Sequence, residues 1–230
     1  MFKKNGIMLF QRALLITFLA GFTFIGYAQF AGGSGTLGDP FEVSTAEQLN
    51  NVRDYLDSYF KQTADIDLSP DGLQGEVWYN QEEGWLPIGG SNTELHFRGH
   101  YNVNIHLISN MTINRLSNYQ ALFAYMNDGA TINNLGLKDV SVHGNSNIAG
   151  FTGYMLNGSK IESSFVTGEI NGISNVAGIA GMISNEGSII ADCYAVVNIT
   201  TRSTSSRHYA GGITGYANNG PIISNCYTSG

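Results

Sequence analysis

Positive charge is scarce in this sequence. Of its 230 residues only 11 are Lys or Arg, against 18 Asp and Glu. Lys3, Lys4 and Arg12 sit around an apolar N-terminal run, which leaves eight basic residues against 18 acids, a formal charge of −10, for the remainder. That remainder has no cluster of Lys and Arg, so nucleic acid and anionic lipid headgroups, both polyanions, are excluded as partners. Cysteine is almost as rare: Cys193 and Cys226 cannot build a disulfide framework and form no C-x-x-C pair. There is no H-E-x-x-H stretch for a zinc peptidase and no G-x-S-x-G elbow for a serine hydrolase. Acids also thin out along the chain: from Phe97 onward they are Asp128, Asp139, Glu162, Glu169, Glu186 and Asp192. Glycosidases need two carboxylates a few ångströms apart, and lyases need a base, commonly with calcium. Asp139 and Glu169 are the one pair to weigh, and they read more readily as solvated loop residues. His96, His100 and His106 lie in strand-and-turn sequence where a spacing of four does not bring side chains together. No catalytic residue, metal or cofactor is expected.

What is present is an export signal followed by β-rich sequence. "ALLITFLAGFTFIG" follows the basic start, and "GYA" offers small residues before Gln29. The apolar run is shorter than the roughly 20 residues that span a bilayer. Residues 1–28 therefore read as a cleaved signal peptide, with no membrane span afterwards. Residues 29–40 read as a flexible lead-in. Residues 41–96 read as an N-terminal cap: "STAEQLNNVRDYLDSYF" carries a Ser44/Glu47 capping box and sets Leu49, Val52, Leu56 and Phe60 on one helical face.

From residue 97 to 230 the chain repeats itself. An apolar-x-polar-apolar core returns at Ile108, Ile132, Ile161, Ile190 and Ile223, in steps of 24, 29, 29 and 33 residues. The longest step contains the polar insert "TTRSTSSR", starting at Thr200, which must occupy a surface loop. Each unit alternates with a period of two and turns on Asn and Gly, which favours strands over helices. A unit of this length cannot bury its apolar side alone, whereas a parallel stack of coils can. The predicted fold is all-β, a parallel β-helix with a short N-terminal capping helix.

Stacking turns the repeats into columns. The isoleucines would form an interior spine. Asn110, Asn134, Ser163, Asp192 and Asn225 would form a polar structural ladder at a bend, where short polar side chains satisfy turn amides. Gly153, Gly181 and Gly215, with Ala124 before them, would mark close backbone approach. Next to them stand Tyr125, Tyr154, Met182 and Tyr216, and the three tyrosines are the candidate ligand-binding residues, packing being the competing account. Cys193 and Cys226 share a column close enough for a disulfide, although parallel stacking orients the thiols poorly for one.

"AGFTGY", "AGIAGM" and "GGITGY", each followed by an Asn/Gly turn and "I-x-x-C/S-Y/F", resemble the GLUG motifs of bacterial surface and secreted proteins. The run from "FEVSTAEQLNNVRDYL" to "HLISNMTIN" resembles the segment that precedes such motifs, so the resemblance covers roughly residues 35–230. It implies a right-handed β-helix, export to the cell surface or medium of a Bacteroidetes-like bacterium, and adhesin-like work. It also implies occurrence beside immunoglobulin A peptidase domains. "FRGHYNVNIH" departs from the glycine-rich turn of that pattern, so Val103 and Ile105 are expected to form a strand there. The chain stops in mid-repeat and is expected to continue into further repeats or domains. The function expected is an adhesin-like surface or stalk whose partner is a host or extracellular glycan or protein. The alternatives are a carbohydrate-active lyase or hydrolase, and a passive spacer beside a catalytic domain.

Overall fold

The computed structural model describes residues 29–202 and 208–230; the expected signal peptide and most of the Thr200 insert lie outside them. Strands pair in parallel, each with its counterpart one coil away, which is the signature of a β-solenoid. Seven strands make the first sheet: Phe41–Val43, Tyr59–Gln62, His100–Asn102, Thr131–Asn133, Lys160–Glu162, Ile189–Ala191 and Ile222–Ser224. A longer-stranded sheet contains Gly136–His143, Phe165–Gly172 and Tyr194–Thr201. Two smaller sheets complete the later coils. One holds Ser146–Ile148, Ser174–Ala177 and Ala210–Gly211; the other holds Phe123–Met126, Thr152–Met155, Ala180–Ser184 and Thr214–Asn218.

The interior spine differs from expectation in its first member. Ile132, Ile161 and Ile190 align and are fully buried, with the partly exposed Ile223 after them, but the residue below Ile132 is Tyr101. Ile108 instead aligns with Leu137 on the neighbouring sheet. Asn110 follows it out of its expected column: its amide N–H donates to the Lys138 carbonyl, which places it beside Asp139. The physical reason is that the apolar-x-polar-apolar pattern occurs twice in the coil above, as "INNL" from Ile132 and as "LKDV" from Leu137. With Tyr101 in place, the irregular first step of 24 residues becomes one of 31, close to its neighbours. Val103 and Ile105 do not form a strand: Val103 is buried and Ile105 is exposed at φ +74°.

The cap is shorter than its pattern suggested. The α-helix spans Ala46–Asn51 and tightens into one 3₁₀ turn, Val52–Asp54, so of the expected face only Leu49 and Val52 lie on it. Phe60 belongs to a strand, where it stacks in register between Phe41 and Tyr101. The capping box is displaced by one residue. Thr45 Oγ1 accepts from Gln48 N, while Gln48 Oε1 accepts from Ser44 N at 2.8 Å. Residues 29–40, expected as a flexible lead-in, fold onto the first coil. Phe30 is buried and stacks on Phe41 at 4.3 Å, and Tyr59 N donates to the Gly35 carbonyl. The segment thereby covers a sheet edge that would otherwise be open.

The corners explain the abundance of asparagine. Among the described residues fifteen non-glycines have positive φ, and all but Ile105, Tyr119 and Ser163 are Asn or Asp. These short polar side chains tolerate the left-handed region that other L-residues avoid at a cost of about 1–2 kcal/mol. Stacked corners then bond along the stack. Asn157 Nδ2 donates to Asn127 Oδ1 at 2.8 Å, Asn185 Nδ2 to Asn157 Oδ1, and Asn219 Nδ2 to Asn185 Oδ1.

Gly153, Gly181 and Gly215 occupy the column expected of them, and close approach is the reason. A Cβ on Gly181 would lie 2.6 and 2.7 Å from the Asn147 carbonyl carbon and Cα, and one on Gly215 would meet Asn175 equally closely. Gly181→Ala should therefore destabilise the solenoid by about 1–3 kcal/mol, as overpacking does. That corresponds to a fall of several degrees in melting temperature for a chain of this size. Gly38→Ala, with open space around it, should be neutral. Equal melting temperatures for the two variants would contradict the close-approach account.

Candidate aromatic binding face

The strand Phe123–Met126 and its counterparts turn Tyr125, Tyr154, Met182 and Tyr216 to one side, in strict register. The glycine before each of the last three removes a Cβ from the crossing point, letting the strands of the three-stranded sheet pass closely. That brings a second column alongside. Tyr119, Asn147, Asn175 and Tyr209 follow one another there, since Tyr119 N donates to the Ser146 carbonyl and Val176 N to the Tyr209 carbonyl. Tyr119, Tyr209 and this second column had no clear repeat signal, because the positions between them are asparagine.

The three candidate tyrosines are not equivalent. Tyr125 is only 7% exposed. Its ring lies parallel to His96 at 4.6 Å and packs against Tyr119 at 4.5 Å and Tyr154 at 5.5 Å. Burial, then the hydrogen bond with Tyr119, raises its pKa. It is a packed member of the cluster rather than a free platform. Tyr154 and Tyr216 are half-buried, and Tyr216 packs against the more exposed Tyr209 at 4.9 Å.

A second aromatic column escaped the sequence reading. Phe165, Tyr194 and Tyr227 stack outside the long-stranded sheet with ring separations of 4.8 and 5.1 Å and interplanar angles of 1° and 9°. The signal was the aromatic that closes each "I-x-x-C/S-Y/F". Because the rings face one another, the faces between them are used in packing, while Tyr227 at the end of the column remains 60% exposed. Phe165 also covers Gly136, where a Cβ would lie 2.6 Å from its ring.

The remaining polar candidates separate. Asn134, Ser163, Asp192 and Asn225 hold their corner with φ between +52° and +59°. Asn225 Nδ2 donates to Asp192 Oδ1 at 3.1 Å and Asn134 Nδ2 to Asn102 Oδ1 at 3.2 Å, while the displaced Asn110 donates to Asp67 Oδ1. Glu169 pairs with Ser141 and not with Asp139, whose nearest charged neighbour is Lys138 at 3.8 Å. Cys193 and Cys226 are free thiols, each donating to the carbonyl two residues upstream, at 3.1 Å in both cases. Burial pushes the Cys193 thiol up to about 12, so at neutral pH it is an inert SH. The three histidines are apart: His96 on Tyr125, His100 stacked on Tyr59 at 4.4 Å, and His106 beside Asp65 at 3.2 Å.

His96 also ends the asparagine ladder. Asn127 accepts from Asn157 through Oδ1, which turns its Nδ2 toward His96 Nδ1 at 3.1 Å. The ring nitrogen must therefore accept, which is the neutral form. Burial first of all lowers the pKa of His96, and burial does the same at His100 and His143. A histidine whose folded pKa lies below the ordinary value of about 6.5 takes up its proton more readily when unfolded. Its contribution is complete above that pH and lost as pH falls through the folded value. The melting temperature should be level from about pH 7 to 8 and decline below about pH 6, and His96→Gln should shallow that decline. An unchanged slope in the variant would show that His96 does not carry it.

Comparison with known proteins places the fold in company. No family model matches the chain. It is 36% identical over 148 residues to a Gly-rich membrane protein of Evansella cellulosilytica, an alignment covering 55% of this chain and 16% of that protein. It is 28% identical over 160 residues to halomucin of Haloquadratum walsbyi, covering 67% of this chain and 2% of that one. The chain thus spans less than a fifth of either relative. Among solved structures, a protein named as an immunoglobulin A1 protease from Bacteroides ovatus superposes with a TM-score of 0.63 at 24% identity, over 87% of this chain and 71% of its own. That likeness is one of fold. Among the described residues no helix is long and apolar enough to cross a membrane.

Proposed function

We propose that this chain is an exported β-helical module that works by presentation: its rigid stack holds the tyrosine face toward a partner at the cell surface. The observation that carries this reading is the register of Tyr154, Met182 and Tyr216, three large side chains repeated one per coil on the solvent side. Glycines shaped to the crossing strands fix that spacing, so the face is preorganised and costs little ordering entropy on binding. The names of the two relatives, a membrane protein and a mucin-like one, support a surface setting. The partner expected is an extracellular glycan or protein, and the site of action is the cell surface or the medium.

A second reading rests on length. Because the matched segment is a small fraction of both relatives, the same coils could serve there as a spacer that carries other domains. Binding separates the two. Labelled protein comprising residues 29–230 should adhere to immobilised mucin or to whole bacterial or epithelial cells. Tyr154→Ala combined with Tyr216→Ala should reduce adhesion at least tenfold, with the circular dichroism spectrum unchanged. Adhesion to none of these surfaces would favour the spacer, and adhesion indifferent to the two tyrosines would remove the face from the account.

A further inference from the structure

The two columns of the tyrosine face repeat a small arrangement at a distance. In one coil the rings of Tyr119 and Tyr125 stand 4.5 Å apart at 43°; three coils on, Tyr209 and Tyr216 stand 4.9 Å apart at 42°. The positions are equivalent by register: Tyr119 and Tyr209 belong to the column that runs through Asn147 and Asn175, and Tyr125 and Tyr216 to the one that runs through Tyr154 and Met182. Three coil spacings set the two corners roughly 14 Å apart along the solenoid axis. Between them Asn175 Nδ2 donates to Asn147 Oδ1 at 2.6 Å, and the half-buried Tyr154 and Met182 lie beside this amide pair. Tyr119 holds its place at φ +62°, in a column whose next two members are asparagines at +61° and +53°. An aromatic side chain is thus kept at a corner whose backbone favours asparagine. A groove of about 170 Å³ runs beside Tyr119, lined by Leu86, Pro87, Ser91, Asn118 and Ala124 among others.

Resting on the reading that this face binds a partner, we propose that the partner is a linear, uncharged polysaccharide lying parallel to the solenoid axis, seated on Tyr209 and Tyr216 at one two-ring corner and on Tyr119, with Tyr125 packed behind it, at the other. None of the column residues themselves is Asp, Glu, Lys or Arg, so a polyanion or polycation would find no counter-charge among the stacking side chains. Aromatic rings accept the C–H face of a pyranose, and the amides between them suit its hydroxyls. An extended peptide fits less well. Strand addition needs unpaired backbone groups, and along this face rung-to-rung bonds already use them, as in Phe123 N to the Phe151 carbonyl and Gly178 N to the Gly212 carbonyl. A single sugar cannot touch both corners; a chain can.

Affinity electrophoresis tests this, with residues 29–230 run through gels containing xyloglucan, galactomannan or mixed-linkage β-glucan, and through gels containing polygalacturonate or alginate. Retardation is expected in at least one neutral gel and in neither polyanionic gel. Tyr209→Ala, at a side chain that is largely outside the core, should weaken that retardation at least tenfold while leaving the melting temperature unchanged. Calorimetry with oligosaccharides from the retarding polymer should show affinity rising more than tenfold from disaccharide to hexasaccharide. Migration unaffected by every neutral polymer, retardation by the polyanions alone, or indifference to Tyr209→Ala would each overturn the proposal. If the Tyr154/Tyr216 double variant still loses mucin or cell adhesion in that event, the presentation reading stands and the partner is of another class. If adhesion is also absent, both readings fall.

Discussion

The rest of this structure depends on the parallel rung-to-rung hydrogen bond. Once each coil bonds to the next at about 4.8 Å, a residue is fixed above its counterpart, and every column must be a chemistry that tolerates its own repetition. Aliphatic side chains meet that demand inside, where Ile132, Ile161 and Ile190 stack with no exposure. Asparagine meets it at corners, because the amide is both donor and acceptor: Asn157 donates to Asn127 and accepts from Asn185. Charged residues fail it. Like charges at one-rung spacing repel, which fits acids standing singly in their columns, as Glu162 does between Asn133 and Ala191 and Glu169 between Ser141 and Asn198.

The same constraint explains which parts of the fold were legible in the sequence. Period-two alternation, turn residues and a repeat of 29 residues are local facts, and they suffice for a parallel stack. The glycine and tyrosine columns were legible because three coils say almost the same words. The first coil was misread because it obeys the pattern at two corners at once, and Ile108 fits the written motif while Tyr101 fits the buried slot. A tyrosine can take that slot because its hydroxyl donates to the buried Gln62 Oε1 at 3.1 Å, and Gln62 in turn donates to the Ala64 and Leu107 carbonyls. No periodicity announces such an exchange of isoleucine for a hydrogen-bonded aromatic.

The cap was misread for a related reason. Leu49, Val52, Leu56 and Phe60 do fall at helical spacing, yet a lone helix on a β-stack is worth only the apolar face it can lay on the open coil. Here that is about two turns. Beyond Asp54 the chain gains more by entering the stack, where Phe60 joins Phe30, Phe41, Tyr55 and Phe97 in an aromatic floor. Tertiary packing overrode a local preference that was real but weak.

The candidate site sits where the constraint is relaxed. Inside, a substitution breaks a column on both sides of itself, and the glycines leave no room even for a methyl group. On the tyrosine face the column already varies, from tyrosine to methionine and back, and the neighbouring one from tyrosine to asparagine and back. Rings placed as pairs at two levels, with amides between, make a surface with a direction and a length. A solenoid can alter that surface one coil at a time without disturbing the hydrogen bonds beneath it, which is why such a scaffold can carry a face that differs from coil to coil on a core that does not.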